Sequence, residues 1–378
     1  MMELFDSLLF DFEPSEKMPG FSPKCSSALF PFWGEYRFID FALLNTDFPS
    51  CGRRLIFCRK ENIRQLSSYS IKWKQYAPEL HPLELDISAF MEIIKSSQAE
   101  HFLLYNIAFL AILNPVDIER VKGNGKNRLL KFTVEEIPAD IYFIDKKKLI
   151  SMIEDSRSLI SSRELFTKDL FSKILLPFFD KMENIEGKVL FQNSILQLYR
   201  ENLNIISKSI SSAFTNRIKS IGITSDKESI ISQKGWVKNS VISSNTRIDG
   251  YVENSVIFPG VHIKEDSHVI NSVVMNQNQI GKKVRIKNTL LFPFTGDNIS
   301  SHTVGENSVI GSLSSSSVNS DYPEQIKDGL TVIGMNPNIP DNTVIESGCL
   351  VGPDVSSAMF KNRKKLRKGS SLYGNYKM

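Results

Sequence analysis

Cysteine is scarce in this 378-residue sequence, and its four cysteines are poorly spaced for cross-links or for metal binding. They are Cys25, Cys51, Cys58 and Cys349, and none belongs to a Cys-X-X-Cys pair. Small secreted domains carry dense disulfide frameworks and zinc sites carry paired cysteines, so both classes are disfavoured. Scarce, unpaired thiols are typical of a reducing compartment, and we expect a cytoplasmic location.

The sequence also lacks a long apolar run. Nowhere do about 18 uncharged apolar residues follow one another, so no membrane-spanning helix is predicted. The start, MMELFDSLLFDFEP, carries acids through its apolar stretch and has no basic region before it, unlike a signal peptide. The formal net charge is only +4, and zinc-finger, helix-turn-helix and RNA-recognition signatures are absent. Neither a membrane nor a nucleic acid is therefore expected as a partner.

Histidine is scarce as well, with five residues scattered along the chain. His262 and His268 are six positions apart, a spacing that would put them on neighbouring faces of a repeat. Metal sites usually bring two or more such ligands together at short, fixed spacings. No metal site is therefore predicted in this chain.

The sequence does contain two regions with different patterns. Residues 1–206 alternate short apolar runs, such as SLLFDF at 7–12 and HFLLYN at 101–106, with helical patterns. In the segment DISAFMEIIKS at 86–96 the apolar residues recur at helical spacing. Strands separated by helices indicate a Rossmann-like α/β domain with a mostly parallel sheet.

From about residue 236 the sequence repeats itself. The segments WVKNSVI, YVENSVI, HVINSVV and RIKNTLL begin at Trp236, Tyr251, His268 and Arg285, and a looser copy, ENSVIG, occupies 306–311. Within the copies, apolar residues also recur every six positions: Ile257, Ile263 and Val269, and again Val274, Ile280 and Ile286. This periodicity is typical of hexapeptide repeats in a left-handed parallel β-helix, where about three hexads complete one triangular turn.

One asparagine slot is shared by four successive copies. Its residues are Asn239, Asn254, Asn271 and Asn288. Asparagine tolerates left-handed backbone at a corner, and stacked asparagine side chains can hydrogen-bond in a ladder. We therefore predict a β-helix at 226–378, joined by a linker at 207–225 to the α/β domain at 1–206.

Residues 30–45, FPFWGEYRFIDFALLN, closely resemble a motif of ADP-glucose pyrophosphorylases that usually runs P-F-G-G-x-Y/F-R-x-I-D-F-x-L-S-N. YVENSVIFPGVHI at 251–263 is similar to the family's E-G-x-V-x-N-S-V-I-x-x-G-V-x-I, and LYRENLNII at 198–206 to its Y-W-x-A-N-x-D-L-L. ADIYFI at 139–144 resembles a strand of the family. The resemblance implies a truncated nucleotidyltransferase-like α/β domain followed by a left-handed β-helix.

The family joins ATP and glucose 1-phosphate into ADP-glucose and pyrophosphate, which requires backbone amides, a lysine and Mg²⁺ around the phosphates. Its glycine-rich phosphate loop, G-G-x-G-x-R-L, corresponds here to DFEPSEKMPGFSPKCSS, which has one glycine and three prolines. Prolines remove amide donors and the acids repel phosphate. The family's lysine just before the shared motif aligns with Ser27, whose hydroxyl cannot replace a cation.

Both metal-binding aspartates of the family are replaced in this alignment. The first aligns with Ala108 and the second with Phe191, and neither side chain has the oxygen that Mg²⁺ requires. Only about thirty residues separate Ala108 from the strand that begins at Ala139. The family usually has many more residues there, which build the sugar-phosphate pocket.

The resemblance and these losses together imply a degenerate, GlgD-type non-catalytic subunit. It would form a heterotetramer with a catalytic ADP-glucose pyrophosphorylase subunit and modulate that subunit's activity or effector response. The Mg²⁺ would then belong to the catalytic partner, and this chain would bind no cofactor of its own. Two alternatives stay open: an active sugar-1-phosphate nucleotidyltransferase with rearranged metal ligands, and a hexapeptide-repeat acyltransferase that uses His262 or His268.

Basic residues just before and within the shared motif form the family's activator site, and Lys24 and Arg37 match two of its positions. The resemblance therefore implies that a small anionic effector binds at these residues. Alternatively, Arg37 pairs with Asp40 on one helix face. The run from Lys361 to Lys368 has six basic residues in eight. We interpret it as a solvated basic tail, with an anion site or a contact with an acidic partner as the alternative.

Overall fold

A computed structural model of this chain describes most of its residues. The predicted effector residue Lys24 and residues 208–225 of the predicted linker lie outside the described part, so the predicted domain boundaries stay a prediction. The described residues are 4–12, 18–22, 25–70, 73, 76, 78–122, 129–156, 174–175, 177, 181–192, 194–207, 227–295, 302–313, 316–360 and 364–374.

The first half of the chain folds into the predicted α/β domain. Its strands are β1 (Phe5–Phe10), β2 (Pro31–Phe32), β3 (Tyr36–Arg37), β4 (Cys51–Cys58), β5 (Glu79–Pro82), β6 (His101–Asn106), β7 (Leu110–Leu113), β8 (Leu129–Val134), β9 (Ile137–Asp145), β10 (Lys181–Ile185) and β11 (Gly187–Phe191). Its helices are α1 (Phe38–Leu44), α2 (Lys60–Ser70), α3 (Ile87–Ser96), α4 (Pro115–Lys122), α5 (Lys146–Asp155) and α6 (Ile195–Asn204).

The main sheet of this domain has seven strands in the order β10-β8-β9-β6-β1-β4-β5. At its centre β1 is parallel to both β4 and β6, and β4 is parallel to β5. β9 is antiparallel to its neighbours β6 and β8. The predicted N-terminal α/β domain with a parallel sheet is therefore confirmed, with one antiparallel strand inserted.

β1 shows that this sheet lies between two apolar layers. All six of its residues are buried. Phe5 and Leu9 belong to the core that also contains α1, whereas Leu8 and Phe10 pack in a second core with residues of α3 and α5. A strand that is covered on both faces has a continuous apolar sequence, and this is why SLLFDF is conspicuous in the chain.

α3 confirms the helix that apolar spacing predicts. Its N-cap is Asp86, whose carboxylate accepts a hydrogen bond from the Ala89 N–H at 2.8 Å and so satisfies one of the free amides at the helix start. Phe90, Met91 and Ile94 are its buried residues and lie on one face. Sequence pattern and local structure agree here.

The second half of the chain folds into coils of short strands. They are β12 (Ile230–Ile231), β13 (Trp236–Lys238), β14 (Val241–Ile242), β15 (Arg247–Ile248), β16 (Tyr251–Glu253), β17 (Val256–Ile257), β18 (His262–Ile263), β19 (His268–Ile270), β20 (Val273–Val274), β21 (Gln279–Ile280), β22 (Arg285–Lys287), β23 (Thr289–Leu291), β24 (Val309–Ile310), β25 (Thr331–Ile333), β26 (Val344–Ile345), β27 (Leu350–Val351), β28 (Lys365–Leu366) and β29 (Ser371–Leu372). A short 3-10 helix occupies Ser357–Phe360.

These strands form three parallel sheets that run along the coils. The orders are β12-β15-β18-β21, β13-β16-β19-β22-β24-β26-β28 and β14-β17-β20-β23-β25-β27-β29. The six residues chosen from the hexad spacing are all fully buried in the interior: Ile257, Ile263, Val269, Val274, Ile280 and Ile286. The arrangement therefore fits the predicted hexapeptide-repeat β-helix.

Short strands place neighbouring side chains on opposite sides of the β-helix wall. In β17, Ile257 packs in the interior, whereas Val256 packs in the core that is shared with the α/β domain. Leu291 and Leu290 of β23 divide in the same way. Because successive side chains of a strand alternate in direction, one wall serves two cores. The core of the α/β domain therefore continues onto the sheet that contains β17 and β23.

The asparagine corners have the predicted conformation. The slot residues Asn239, Asn254, Asn271 and Asn288 have positive φ angles of 44°, 47°, 49° and 46°. The Asn239 side chain donates to the Asn254 side chain at 2.6 Å, and Asn271 donates to Asn288. Left-handed backbone at four stacked corners confirms the role given to asparagine.

A second ladder, which the sequence did not predict, uses the residue after each asparagine. The Ser255 hydroxyl accepts the Ser272 N–H at 3.0 Å, and the Ser272 hydroxyl accepts the Thr289 N–H at 3.1 Å. The same two hydroxyls donate to the carbonyls of Glu253 and Ile270, at 2.7 and 2.8 Å. Each hydroxyl therefore satisfies two backbone groups at a corner of the coil.

Where the structure describes it, the basic run is part of an ordered coil and not a tail, and its basic side chains are exposed to solvent. Residues 364–368 belong to a coil of the β-helix, because β28 pairs in parallel with β26 and β29 follows it. The Lys365 ammonium forms an ion pair with Glu346 at 2.6 Å, and the Lys368 N–H donates to the same carboxylate at 2.8 Å. The charge of the run suggests a tail, whereas the pairing of β28 with β26 makes it part of a coil. Residues 361–363 lie outside the described part.

The structure bears on two expectations from the sequence, namely those on the cysteines and on membrane-spanning helices. All four cysteines are free thiols, as their spacing predicts, and three of them are buried. Within the described residues, no helix combines the length and the apolar character that crossing a bilayer requires.

Candidate functional site

The segment that resembles the family motif contains β2, β3 and α1, and it surrounds one buried carboxylate. Asp40 is fully buried and accepts three hydrogen bonds. The donors are the Arg37 backbone N–H at 2.6 Å, the Tyr69 hydroxyl at 2.8 Å and the Trp73 Nε1–H at 2.8 Å. Two of these donors come from beyond the motif, so Asp40 ties α1 to the layer that contains α2.

The environment of Asp40 makes it a titratable group near neutral pH. Burial raises its pKa from the usual 3.8 to about 7, against the opposing effects of the three donors and the nearby Arg37 charge. An ion pair on one helix face was one prediction for these residues, and it is wrong in its geometry. Arg37 precedes α1 as its N-cap, and its described hydrogen bond to Asp40 comes from the backbone.

The Arg37 guanidinium is held in place by two contacts. It lies over the Tyr69 ring, 4.8 Å from the ring centre, and its Nη1 donates to the Leu29 carbonyl at 2.5 Å. A guanidinium over an aromatic face is attracted by the ring electrons, and it has five N–H donors in all. These contacts place Arg37 in the wall of a cavity between the two domains.

This interdomain cavity has a volume of about 820 Å³. Among its described lining residues, Arg37 carries the positive charge and Asp354 the negative charge. Its walls are otherwise rich in amide side chains, namely Asn62, Gln65, Asn276, Gln277 and Asn336. Pockets for small organic ligands usually measure roughly 300–1,000 Å³, so the cavity is large enough for such a molecule.

The carboxyl edge of the main sheet is a second candidate site, because ligands of open α/β sheets bind at the carboxyl ends of parallel strands. Asp11 follows β1 at this edge and is buried. It accepts hydrogen bonds from the Ser26 hydroxyl at 2.6 Å and the Ala28 N–H at 2.8 Å. Burial raises its pKa from 3.8 to about 6, although these bonds oppose the shift. Asp11 therefore closes the base of the following loop.

Ser27 is used for the same structural purpose. It is buried, and its hydroxyl donates to the Phe12 carbonyl at 2.7 Å. Together with the bond between Ser26 and Asp11, this contact joins the two ends of the segment that aligns with the family's phosphate loop. The hydroxyl that stands where the family has a lysine is thus bonded to the backbone.

The two positions aligned with metal-binding aspartates have different surroundings. Ala108 lies in the turn after β6, and its N–H donates to Asn106 Oδ1 at 3.0 Å. Phe191 ends β11, is only 2% exposed, and packs against the Phe38 ring with centroids 5.4 Å apart. In the part of the chain that the structure describes, no group of three or more His, Cys, Asp or Glu side chains could hold a metal ion.

Sequence analysis missed one polar pair at this edge. Asn106 ends β6, and its side-chain amide donates to Asp140 Oδ2 on β9 at 3.2 Å. Asn106 is half-buried and Asp140 is exposed. They meet because β9 returns antiparallel beside β6, a pairing that the spacing of the two residues does not reveal.

His262 and His268, the two histidines considered for a catalytic role, do not converge. His262 lies on β18, and its Nε2 is 2.7 Å from Asp249 Oδ2. The pKa of the Asp249 carboxyl is lowered from 3.8 to about 2. Burial alone would raise this pKa, but the hydrogen bonds from Arg247 and His262 outweigh that effect. His268 lies on β19, in a different sheet, with its ring 5.5 Å from that of Tyr251. The prediction of neighbouring faces is confirmed for these two histidines.

Comparison with known proteins gives one family match, in the repeat region, and several relatives that share one name. Residues 224–320 match the family described as GlmU-like, C-terminal hexapeptide. A 130-residue stretch is 29% identical to a protein named glucose-1-phosphate adenylyltransferase from Acetivibrio thermocellus, covering 34% of this chain and 29% of that relative. A 132-residue stretch is 40% identical to the protein of the same name from Pseudothermotoga lettingae, with the same coverage of 34% and 29%.

A third relative of that name, from Bacillus thuringiensis, is 43% identical over 61 residues, which are 16% of each chain. The matched stretches thus span less than a third of the length of these curated relatives. Within that span, the chain has glucose-1-phosphate adenylyltransferases among its homologues and a hexapeptide-repeat region of the GlmU-like type.

Proposed function

We propose that this chain is a non-catalytic, GlgD-type subunit of ADP-glucose pyrophosphorylase (glucose-1-phosphate adenylyltransferase) in glycogen biosynthesis. It modulates a catalytic partner that makes ADP-glucose and pyrophosphate from ATP and glucose 1-phosphate. In this proposal the assembly is a cytoplasmic heterotetramer, the β-helix is left-handed, the partner holds the Mg²⁺, and this chain holds no cofactor. The homologues named glucose-1-phosphate adenylyltransferase support the choice of reaction.

The observation that carries the proposal is the chemistry of the three residues that align with the family's metal-binding aspartates and phosphate lysine. Nucleotidyl transfer needs a metal ion and cations that neutralise the phosphates. Phe191 is buried against Phe38, and Ala108 offers only a methyl group. The Ser27 hydroxyl is already bonded to a backbone carbonyl. None of these three groups supplies the charge or the ligand that the reaction requires.

The proposal includes an effector site in the interdomain cavity. We place the anionic group of a small effector beside Arg37, at the end of the cavity away from the Asp354 carboxylate, because Asp354 would repel it. The guanidinium retains N–H donors beyond the one bonded to Leu29. Lys24, the other residue named for this role, lies outside the described part of the chain.

A direct test measures ADP-glucose formation from ATP, glucose 1-phosphate and Mg²⁺ with three samples: this chain alone, the catalytic homologue of the same organism alone, and the two mixed. We expect no turnover by this chain alone and a clear gain in the mixture. An Arg37→Ala variant in the mixture should keep the assembly but change its response to anionic effectors. Turnover by this chain alone would contradict the proposal.

One observation favours a second candidate, an active nucleotidyltransferase with rearranged metal ligands. The Asp140 carboxylate, which accepts the Asn106 side-chain amide, lies at the carboxyl end of β6, and carboxylate oxygens are ligands that Mg²⁺ prefers. If this chain alone forms ADP-glucose, an Asp140→Ala variant decides the matter. Loss of that turnover in the variant would establish the rearranged site.

A further inference from the structure

Residues 18–22, here named the strap, are bound to the β-helix. The Gly20 carbonyl accepts the Met335 N–H at 2.9 Å, and the Ser22 hydroxyl donates to Asp354 Oδ2 at 3.2 Å. The Ser22 N–H also points at the Met335 sulfur, at 3.4 Å. The strap belongs to the segment that aligns with the family's phosphate loop, but these hydrogen bonds are made to the other domain.

Apolar packing adds to these hydrogen bonds. The Phe21 ring lies between Phe30 of the shared motif and Phe292 of the β-helix, with ring centroids 4.4 and 5.0 Å away. Phe21 is 4% exposed and Met335 is 3% exposed. The strap is therefore an integral part of the core between the domains, and undocking it would expose these side chains to water.

Gly20 is the residue that permits this approach. Its φ is +95°, a conformation that residues with a side chain rarely adopt, and a Cβ added there would lie 3.1 Å from the Phe292 ring. Any larger residue would have to change the backbone and push against a buried ring at once. The docked strap thus depends on glycine at this one position.

We propose that the strap is an interdomain lock: it fastens the α/β domain to the β-helix and, while docked, is withheld from any phosphate at the carboxyl edge of the sheet. The base of the same loop is closed by the bonds of Asp11 to Ser26 and of Ser27 to Phe12. A segment held at its base by one domain and at its tip by the other cannot wrap a ligand without breaking one set of contacts. The lock is independent of the proposed function, since it rests on these contacts alone.

Hydrogen exchange of the full chain, followed by mass spectrometry, tests the lock at the Met335 amide. Gly20→Ala should speed exchange there by about tenfold, the effect of forcing a side chain into left-handed backbone. Gly260→Ala is the matched control, because Gly260 also has positive φ, +75°, but the three atoms nearest its added Cβ all belong to the Gln277 side chain within the β-helix. The control should leave exchange at Met335 unchanged.

Ser22→Ala is the milder variant if Gly20→Ala does not fold. It removes the hydroxyl that donates to Asp354 and should speed exchange at Met335 by about threefold. Unchanged exchange at Met335 in both strap variants would overturn the lock.

ATP with Mg²⁺ provides the remaining arm of the experiment. The lock predicts no change at Met335 when the wild-type chain receives this nucleotide. Faster exchange would mean that the strap leaves the β-helix for the nucleotide and is a mobile phosphate loop, which would also overturn the lock. Turnover is assayed separately in the same sample, so failure of the lock and failure of the proposed function are distinguishable.

Discussion

At the scale of single residues, two buried aspartates link the stability of this protein to pH. Burial raises the pKa of Asp40 to about 7 and that of Asp11 to about 6, whereas both are near 3.8 in the unfolded chain. The folded state therefore holds protons that the unfolded state has already released. Their stabilising contribution is fully present below about pH 3.8 and is lost as the pH rises through the two folded-state values.

We predict that replacing Asp40 by Asn removes part of this pH dependence. A single such group lowers the free energy of unfolding by about 1.4 kcal/mol per pH unit between its two pKa values. Urea denaturation at several pH values between about 4 and 7 gives the free energy of unfolding of wild type and Asp40→Asn. Plotted against pH, this free energy should fall less steeply for the variant. Parallel slopes would show that Asp40 does not titrate in this range.

Phe191, which aligns with a metal-binding aspartate of the family, is a buried core residue. We predict that Phe191→Ala lowers the free energy of unfolding by about 3–5 kcal/mol, the usual cost of removing a buried aromatic ring. The control is Val116→Ala on α4, where the side chain is 68% exposed and the change should be about 0.5 kcal/mol or less. Equal effects of the two substitutions in urea denaturation would contradict the packing role of Phe191.

At the scale of elements, the hairpin between β8 and β9 contains an unusual turn. Its two turn residues, Glu135 and Glu136, both have positive φ, 52° and 65°. Two-residue hairpin turns of this type favour asparagine and glycine, because other residues pay for left-handed backbone. The Glu135 carboxylate accepts the Val189 N–H at 2.9 Å, which gives that glutamate a compensating contact.

We predict that Glu136→Gly stabilises the protein by about 0.5–1 kcal/mol, since glycine relieves the left-handed strain but adds freedom to the unfolded chain. The matched control is Glu135→Gly, which relieves similar strain but removes the bond to Val189 and should give a smaller gain or a loss. Thermal and urea denaturation measure both. A Glu136→Gly variant that is less stable than wild type would contradict the claim that left-handed backbone at Glu136 costs stability.

At the scale of the whole molecule, the two domains share one core. Outward-facing residues of the β-helix, among them Val256, Val273 and Leu290, lie in the same apolar cluster as Phe30 and Phe32 of the shared motif. α6 reinforces this contact, because the Tyr199 hydroxyl of that helix donates to the Asn271 carbonyl at 2.6 Å and its Asn202 side chain accepts the Trp33 N–H at 2.9 Å. The domains are therefore expected to unfold together.

We predict that the full chain unfolds in one cooperative transition and that its halves differ when separated. Fragment 226–378 keeps its own interior and should unfold cooperatively, whereas fragment 1–206 loses the β-helix wall of its core and should bind a hydrophobic dye such as ANS. Calorimetry and dye fluorescence measure this. Two separate transitions in the full chain would contradict a shared core.

The sequence by itself determined those features that depend on local periodicity. Six-residue spacing of apolar side chains identified the β-helix, because the direction of each side chain follows from its position in the coil, and all six residues chosen from that spacing are interior. Asparagine at a fixed slot predicted left-handed corners for a similar reason, since few residue types tolerate that backbone. That Ala108 and Phe191 have no side-chain oxygen for Mg²⁺ also follows from the sequence alone.

Only the tertiary structure determined which residues far apart in the chain contact one another. The burial of Asp40 under Tyr69 and Trp73, and the meeting of Asn106 with Asp140, arise from how layers and strands pack. The docking of the strap on Met335 likewise crosses the domain boundary. No local pattern encodes such contacts, because they depend on which surfaces the folded chain brings together. The same cause corrected the interpretation of the basic run, whose charges suggest a tail but whose backbone completes a coil.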